Sequence, residues 1–485
     1  MIKVKILSTI LIFFGMSGFC FSQEPNEPAD FLSADFHKQR RELLRDKMPA
    51  NSVAIFFANP VRNRANDVDY IYHQDPDFYY LTGYREPHAV LLIFKDFQQT
   101  QTGNQYNELI FVQPRNPRAE QWTGIRLGTD GVREKLEISE AFDNKDFAAY
   151  EIDFDGFDQV LFYDFYNDVR DTPVRGDLFD LIESFKLKAG YGPEKFSAEP
   201  SRNNLNRVEL KNLMADLRGI KTNDELTLLR KAVDISCIGQ LEVMKAIKPG
   251  MSEREIQGIH EFVFRKYGSE YQGYPSIVGS GHNGCILHYI DNHKPEISSK
   301  DLILMDLGAE YRGYTADVTR TIPINGKFSP EQKAIYDLVL KAQEAAMKEC
   351  VAGVRWNQPL ATARRIINEG LAELGIISSP DERHGYFPHG ISHHIGLDVH
   401  DKGNTSRFEA DMVITVEPGI YIPEGADCDE KWWGIAVRIE DCILIKESGE
   451  PELLSFRAPR KSDEIEEMMK QSSVLEQFIL PDLDK

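Results

Sequence analysis

The sequence predicts an α+β fold in two domains, and three observations support this prediction. At 485 residues, the chain exceeds a single domain of about 150 residues. Its first half alternates short apolar runs with polar turns and helical patterns, which is typical of an α/β domain. Its second half mixes capped amphipathic helices with short apolar strands. We therefore predict an N-terminal α/β domain at residues 31–218, a second domain at 222–460 and an acidic tail at 461–485.

Residues 1–22 are predicted to be an export signal. Lys3 and Lys5 precede an apolar stretch at residues 6–16, and residues 20–22 match a small-x-small cleavage site. Because the apolar stretch is too short to span a bilayer comfortably, a retained membrane anchor is the weaker alternative. We expect a mature chain that starts near Gln23, is periplasmic or secreted, and has no stable membrane span.

Individual elements can be placed within both domains. In the first, apolar runs at residues 52–58 and 90–94 predict strands. In the second, Ser or Thr followed three residues later by Glu or Gln predicts three helix starts. These pairs are Thr222 with Glu225, Ser252 with Glu255, and Ser329 with Gln332. Apolar runs at residues 302–307, 413–416 and 435–445 predict strands of the second domain.

Composition and charge narrow the class of function. With 42% hydrophobic and 27% charged residues, the chain has the composition of a globular protein rather than of a disordered one. Its formal net charge of -21 argues against nucleic acid as a partner, because phosphate binding requires clustered Lys and Arg. The cysteines outside the export signal have no paired spacing, so we expect free thiols.

A pair of aspartates in a β-hairpin gives the first sign of a metal site. Asp306 interrupts the apolar strand at residues 302–307, and Asp317 follows the turn. A turn centred between Tyr311 and Arg312 would place the two aspartates directly opposite each other, with Cβ atoms about 5 Å apart. Two carboxylates at that distance in an apolar sheet repel each other unless a cation lies between them. An isolated aspartate at a strand end is the alternative.

A cluster of histidines is the second sign. His389, His393, His394 and His400 lie within a short segment, although the whole chain has only 12 histidines. Imidazole is both a common metal ligand and a proton carrier near neutral pH. Histidines beside carboxylates therefore predict hydrolytic chemistry, with a structural histidine as the alternative for any single one of them.

Two glutamates complete a candidate ligand set. Glu417 and Glu440 end or interrupt apolar runs, where unpaired charges are rare. The set is Asp306, Asp317, His393, Glu417 and Glu440. Its four carboxylates carry a formal charge of -4, which two divalent cations would balance. Two-metal sites activate a bridging water for amide hydrolysis. Oxygen-rich ligands favour manganese, with zinc or cobalt as alternatives.

These motifs resemble the aminopeptidase P family of pita-bread metallopeptidases. The resemblance covers nearly the whole mature chain and includes residues 64–67, 75–84 and 122–128 of the first domain. It implies a creatinase-like N-terminal domain followed by a pita-bread catalytic domain. It also implies a metal-dependent Xaa-Pro aminopeptidase, whose partners are peptide substrates with proline at position two, and a homo-oligomer, either a dimer or a tetramer.

The resemblance assigns roles to the five candidate ligands. Asp317 and Glu440 would bridge the two ions. Asp306 would complete one metal site, and His393 and Glu417 would complete the other. Glu417 would also carry a proton to and from the bridging water, which acts as the nucleophile.

Further residues match catalytic and binding positions of the family. His288, His389 and His400 match histidines that bind substrate and stabilise the transition state, and Tyr421 matches a tyrosine of the pocket. Arg438 would orient Glu440, from which it is two residues away.

His394 is where this sequence departs from the family pattern, because an aromatic residue is frequent at that position. Since it is adjacent to His393, its side chain is expected to point to the opposite side of an extended chain. The departure bears on substrate preference.

The alternative functions are prolidase, which cleaves only dipeptides, and a non-catalytic peptide-binding module, which would be expected to have lost metal ligands.

Overall fold

The computed structural model describes residues 28–100, 103–190 and 204–477. The predicted export signal lies outside these residues. Mixed helices and sheets confirm the predicted α+β class. Within the described residues, we find no helix that is both long enough and apolar enough to cross a membrane.

The first part of the chain forms a six-stranded sheet and a separate two-stranded sheet, with flanking helices. The six-stranded sheet contains β1 (Ser52–Phe57), β4 (Val90–Gln99), β5 (Gln105–Val112), β6 (Ala141–Asp143), β7 (Gln159–Leu161) and β8 (Leu205–Asn206), and the two-stranded sheet contains β2 (Asn63–Ala65) and β3 (Val68–Asp69). The helices are α1 (Ala34–Lys47), α2 (Pro76–Thr82), α3 (Pro117–Thr123), α4 (Gly128–Lys135), α5 (Leu178–Lys188) and α6 (Glu209–Gly219). The sheet order is β6-β5-β4-β1-β7-β8. The strand β4 is antiparallel to β1 and β5, and the outer pairs are parallel.

One face of this sheet packs against α5. Ile55 of β1 and Leu92 of β4 are cross-strand partners, and both join Phe185 of α5 in one buried cluster. Alternate residues of a strand point to the same face, so each strand contributes every second side chain to this cluster. The remaining residues at the start of β1 and β4 are also buried, which explains their continuous apolar sequences.

The second part of the chain contains several small sheets and long helices. Its strands are β9 (Tyr271–Gln272), β10 (Ile277–Ser280), β11 (Leu302–Leu307), β12 (Ala309–Tyr311), β13 (Tyr314–Thr315), β14 (Val318–Pro323), β15 (Val413–Val416), β16 (Gly419–Ile422), β17 (Ile435–Arg438), β18 (Asp441–Leu444) and β19 (Glu452–Leu453). Its helices are α7 (Asn223–Ala246), α8 (Glu253–Lys266), α9 (Pro330–Met347), α10 (Gln358–Glu373) and α11 (Ser462–Met468). All three predicted capping boxes form, at the starts of α7, α8 and α9.

Two buried glutamines hold the strands at or near the points where they are interrupted. Gln240 of α7 donates hydrogen bonds from Nε2 to the carbonyl oxygens of Met305 and Val318, at 3.1 and 2.9 Å. Gln343 of α9 donates in the same way to Val416 and Ile439, at 3.0 and 2.9 Å. Buried backbone carbonyls require partners. The two helices therefore allow the strands to break without leaving those groups unpaired.

The register of the aspartate hairpin differs from the prediction. Asp306 pairs with Thr319, and the turn is centred on Arg312 and Gly313. Both turn residues have positive φ angles, 53° and 88°, as a two-residue type I′ turn requires. Asp317 is therefore a diagonal rather than a direct neighbour of Asp306. Because Asp317 and Thr319 are two residues apart, the predicted shared face is kept while the direct opposition is wrong.

Buried ion pairs connect α2 to the histidine-rich segment. Arg218 donates from Nη1 to Oδ1 of Asp77 at 2.7 Å and also pairs with Asp401. Lys221 contacts the other oxygen of Asp401 at 2.9 Å. The backbone N–H of Asp401 in turn donates to the carbonyl of His394, at 2.9 Å. The segment that carries the candidate histidines is thus anchored to both parts of the chain.

Candidate metal centre

The five candidate ligands come from the interrupted strands of the second domain. Asp306 lies on β11, Asp317 lies between β13 and β14, Glu417 between β15 and β16, and Glu440 between β17 and β18. The apolar run at residues 435–445, predicted as one strand, is thereby divided into β17 and β18. His393 lies beside β15, because its backbone carbonyl accepts the N–H of Thr415 at 3.0 Å.

The imidazole of His393 lies at the centre of this group. Its Nε2 atom is 3.5 Å from Oδ2 of Asp317, 3.6 Å from Oε1 of Glu417 and 4.0 Å from Oε1 of Glu440. Among the described residues, Asp317, His393 and Glu440 each offer one ligand atom, and these atoms lie within 4.8 Å of one another. Such a group could hold a metal ion.

Asp306 is connected to this group through a tyrosine that the sequence analysis missed. The hydroxyl of Tyr274 lies 2.6 Å from Oδ1 of Asp306 and 2.5 Å from Oδ1 of Asp317. Burial and the two carboxylates raise the pKa of Tyr274 well above its ordinary value, so the hydroxyl stays protonated and can donate. Tyr274 precedes β10 in an irregular segment that carries no motif, so no pattern in the sequence indicated it.

The electrostatics of the cluster favour a cation. Burial, followed by the charge of Asp306, raises the pKa of Asp317 well above its ordinary value. Burial and Asp317 have the same effect on Glu440, and burial and Glu440 raise the pKa of Glu417 to about 8. Carboxylates that repel one another in a buried site are stabilised by divalent ions. The donor set of four carboxylates and one imidazole therefore fits divalent metal ions.

Arg438 contacts Asp306 rather than its predicted partner Glu440. Its Nη2 atom donates to Oδ2 of Asp306, and its charge lowers the pKa of that carboxyl although burial acts in the opposite direction. Glu440 instead accepts a hydrogen bond from the hydroxyl of Thr319, at 2.7 Å. The predicted pairing assumed one continuous strand. The chain leaves β17 at Arg438, so the two-residue periodicity does not apply across the break.

The cluster opens into a cavity of about 640 Å³ that is lined by three of the other candidate histidines. These are His288, His389 and His400. Burial lowers the pKa of His389 to about 4, and burial followed by the charge of His393 lowers that of His400, so both imidazoles are neutral at pH 7. The His400 and His393 rings pack edge to face, with centroids 4.3 Å apart. Neutral imidazoles beside carboxylates can accept and donate protons.

Tyr421 lies beneath this cavity and holds two of the candidate residues. Its hydroxyl is 2.8 Å from Nε2 of His389 and accepts a hydrogen bond of 2.8 Å from Nη1 of Arg438. The other ring nitrogen of His389 lies 2.6 Å from the carbonyl of Gly390, which can only accept. Nδ1 of His389 therefore carries the proton, and Nε2 accepts from Tyr421. Tyr421 is thus a support for His389 and is not among the residues that line the cavity.

Comparison of the sequence with known protein families agrees with the interpretation of this site as a metal centre. Residues 37–153 match the model described as aminopeptidase P, N-terminal domain, and residues 227–447 match metallopeptidase family M24. The protein named Xaa-Pro aminopeptidase of Escherichia coli K12 is 36% identical over 456 residues, which cover 90% of this chain and 98% of that protein. The chain belongs to metallopeptidase family M24.

A second relative and a solved structure are similar to this chain over nearly its whole length. The Xaa-Pro aminopeptidase of Haemophilus influenzae is 35% identical over 452 residues and covers 90% of this chain and 98% of its own. The solved structure of aminopeptidase P from E. coli with the inhibitor Pro-Leu has a TM-score of 0.80 and 35% identity. It covers 91% of this chain and 99% of the other. The fold of an N-terminal aminopeptidase P domain and a pita-bread M24 domain is therefore established.

In this M24 protein, His394 points away from the cluster of candidate metal ligands, as expected. Its Nε2 atom is 3.0 Å from the carbonyl oxygen of Asn404, and its ring stacks on Trp356 with centroids 4.8 Å apart. It is not among the residues that line the cavity. The departure at this position therefore affects packing behind the site rather than the surface that a substrate contacts.

Proposed function

We propose that the protein removes the first residue from peptides that have proline in the second position. The observation that carries this proposal is the ring of carboxylates around His393 at the base of a cavity of about 640 Å³. Proteins named Xaa-Pro aminopeptidase resemble this chain over nearly its full length. A concave site with a few convergent polar groups is the usual form of a binding site for a small substrate.

The residues that would hold the metal ions are the five named above. Membership of family M24 implies divalent ions, and for their identity we propose manganese because most of the donors are carboxylate oxygens. Such ions, when bound, activate a water molecule and polarise the scissile carbonyl. Asp306 is fixed by both Arg438 and Tyr274, and Glu440 is fixed by Thr319, so ligand directions are set before any ion binds.

Glu417 is placed to move a proton. Oε1 of Glu417 faces Nε2 of His393 at 3.6 Å, and Oε2 lies 4.0 Å from Nδ1 of His389. A carboxylate between two imidazoles can accept a proton from an attacking water and return it to the departing amine. His288 and His400 line the same cavity and would donate hydrogen bonds to the carbonyl oxygen as negative charge develops there.

The experiment compares three peptides with the purified mature chain, stripped of metal and then supplied with manganese. These are an Xaa-Pro dipeptide, an Xaa-Pro tripeptide and an Xaa-Ala tripeptide. We expect manganese-dependent release of the first residue from the Xaa-Pro tripeptide and none from the Xaa-Ala tripeptide. Cleavage confined to the dipeptide would instead identify a prolidase. If no divalent metal gave cleavage of any peptide, the proposed function would be wrong.

Export and self-association belong to the same proposal. The export signal predicted at residues 1–22 would direct the protein to a periplasmic or secreted location, which cell fractionation would test. Large apolar side chains exposed on the N-terminal domain support a dimer or tetramer, since Ile71, Trp122 and Ile125 are 74%, 86% and 80% exposed. Light scattering should give a mass above that of one chain, and the pair of changes Trp122→Ser and Ile125→Ser should reduce it.

A further inference from the structure

His288 lies on a segment with little regular structure of its own. The short 3-10 helix Gly281–Cys285 precedes it, and no helix or strand is found from there until β11 begins at Leu302. His288 is exposed at the wall of the catalytic cavity. A catalytic side chain on an irregular segment needs an external support if it is to keep one position.

Glu253, the first residue of α8, is in contact with both ends of this segment. Its Oε1 atom accepts hydrogen bonds from the backbone N–H and the hydroxyl of Ser280, both at 2.8 Å, and from Nδ2 of Asn283 at 3.0 Å. Its Oε2 atom accepts from the hydroxyl of Tyr289 at 2.9 Å and from the backbone N–H of Lys294 at 3.0 Å. The donors thus precede and follow His288 in the chain.

The position of Glu253 is unusual for a carboxylate. Its side chain is completely buried, and all five of the donors named above are neutral groups. Hydrogen bonds to a charged acceptor are stronger than those between neutral groups, and the start of a helix favours a negative charge. Burial of a charged group is costly unless these bonds are made. The carboxylate is therefore stable only while the segment keeps this conformation.

Two further contacts show that the segment has one defined path. Tyr289 packs in a buried cluster with Tyr421, the residue beneath His389. Asn292, buried and with a positive φ of 47°, accepts the backbone N–H of Val278 at 3.0 Å. Glu253 itself is not among the residues that line the cavity. Any effect it has on catalysis must pass through the segment it holds.

We propose that Glu253 is a positioning residue of the hydrolytic site, whose carboxylate fixes His288 at the wall of the cavity. The proposal rests on the proposed role of His288 in stabilising the reacting carbonyl. Displacement of a reacting group by about 1 Å can lower a rate by up to about a hundredfold. A residue outside the cavity that controls this displacement should change kcat while leaving KM nearly unchanged.

The first test is the variant Glu253→Gln, assayed with an Xaa-Pro tripeptide after manganese loading. Gln has the same shape but replaces one acceptor oxygen with an amide that donates, so donors on one side of the carboxylate lose their partner. We expect kcat to fall about tenfold with little change in KM or in metal content. The control is Ser252→Ala, which removes the cap of the same helix and lowers its stability without touching the segment. It should keep the activity of the wild type.

The second test repeats Glu253→Gln and its control Ser252→Ala in the His288→Ala background. If Glu253 acts through His288, then Glu253→Gln should reduce kcat in the wild type and have no further effect once His288 is absent. Equal losses in both backgrounds, or no loss in either, would overturn the inference alone. Wild-type activity of His288→Ala would overturn the proposed role of His288 and the inference with it, while the peptide comparison would still test the proposed function.

A milder variant keeps the test decisive if Glu253→Gln does not fold. Tyr289→Phe removes one of the five donors and keeps the ring in its buried cluster. We expect a loss of kcat of about threefold, again absent when His288 is alanine. The same loss in both backgrounds would contradict the inference.

Discussion

A buried histidine on α8 makes the stability of the protein depend on pH in a way that can be calculated. His260 is completely buried, and within the described part of the chain neither of its ring nitrogens has a hydrogen-bond partner. Burial alone lowers its pKa from 6.5 to about 3. In the unfolded chain, the same imidazole binds a proton below about pH 6.5. Because the unfolded state then binds more protons, stability falls as the pH drops below 6.5.

The size of this effect follows from the two pKa values. At pH 5 the unfolded chain gains about 2 kcal/mol from protonation of this histidine, and the folded chain gains nearly nothing. His260→Leu removes the titrating group. Between pH 8 and pH 5, its free energy of unfolding relative to the wild type should therefore rise by about 2 kcal/mol. Any difference in packing between Leu and His changes the free energy of unfolding by the same amount at both pH values, so it cancels in this comparison.

Urea unfolding at the two pH values measures this change. Trp356, Trp432 and Trp433 lie in the same domain as His260, so tryptophan fluorescence reports on its unfolding. The exposed His282 provides the matched control, because His282→Ala should leave the difference between the two pH values unchanged. A stability difference between His260→Leu and the wild type that does not vary with pH would refute the reasoning.

Four further outcomes follow from the structure. Asp317→Asn should lower hydrolysis at least about a thousandfold and reduce bound metal, as measured by elemental analysis. Tyr421→Phe should lower kcat about tenfold, because His389 and Arg438 both lose the hydroxyl group to which they are hydrogen-bonded. Asp77→Ala should lower the free energy of unfolding by about 3 kcal/mol, since it leaves Arg218 with fewer buried counter-charges. Because the pKa of Glu417 is raised to about 8, metal binding at pH 7 should release protons in calorimetry and weaken as the pH falls.

Much of the site could be predicted because its chemistry conflicts with its surroundings. Asp306, Glu417 and Glu440 are charged residues in or beside apolar strands, and such residues need a specific reason to be there. The capping boxes could also be predicted from the sequence, because each depends on two residues that are three positions apart. Tyr274 could not be found in this way. Its role depends on contacts with two residues far along the chain, and an isolated tyrosine has many ordinary explanations.

The register of the hairpin shows how a small local choice limits prediction. The turn was expected between Tyr311 and Arg312, whereas it is formed by Arg312 and Gly313, both with positive φ. A glycine in the second turn position favours this arrangement, although Arg312 in the left-handed region is not a residue that the pattern would suggest. The observed pairing is therefore shifted from the expected pairing by two positions, which is an even number. For that reason, Asp306 and Asp317 still share a face.

The contact between Arg438 and Asp306 changes the charge balance that the sequence suggested. The five ligands alone carry four negative charges, but the guanidinium of Arg438 lies among them and leaves a formal charge of -3. Two divalent cations would then exceed the negative charge of the cluster by one. A site with one excess positive charge is suited to an oxyanion that develops at the scissile carbonyl, where fixed charges in a partly dry cavity act strongly. Arg438→Met should therefore impair the rate more than it impairs the binding of substrate, because the excess charge is needed only as the oxyanion forms.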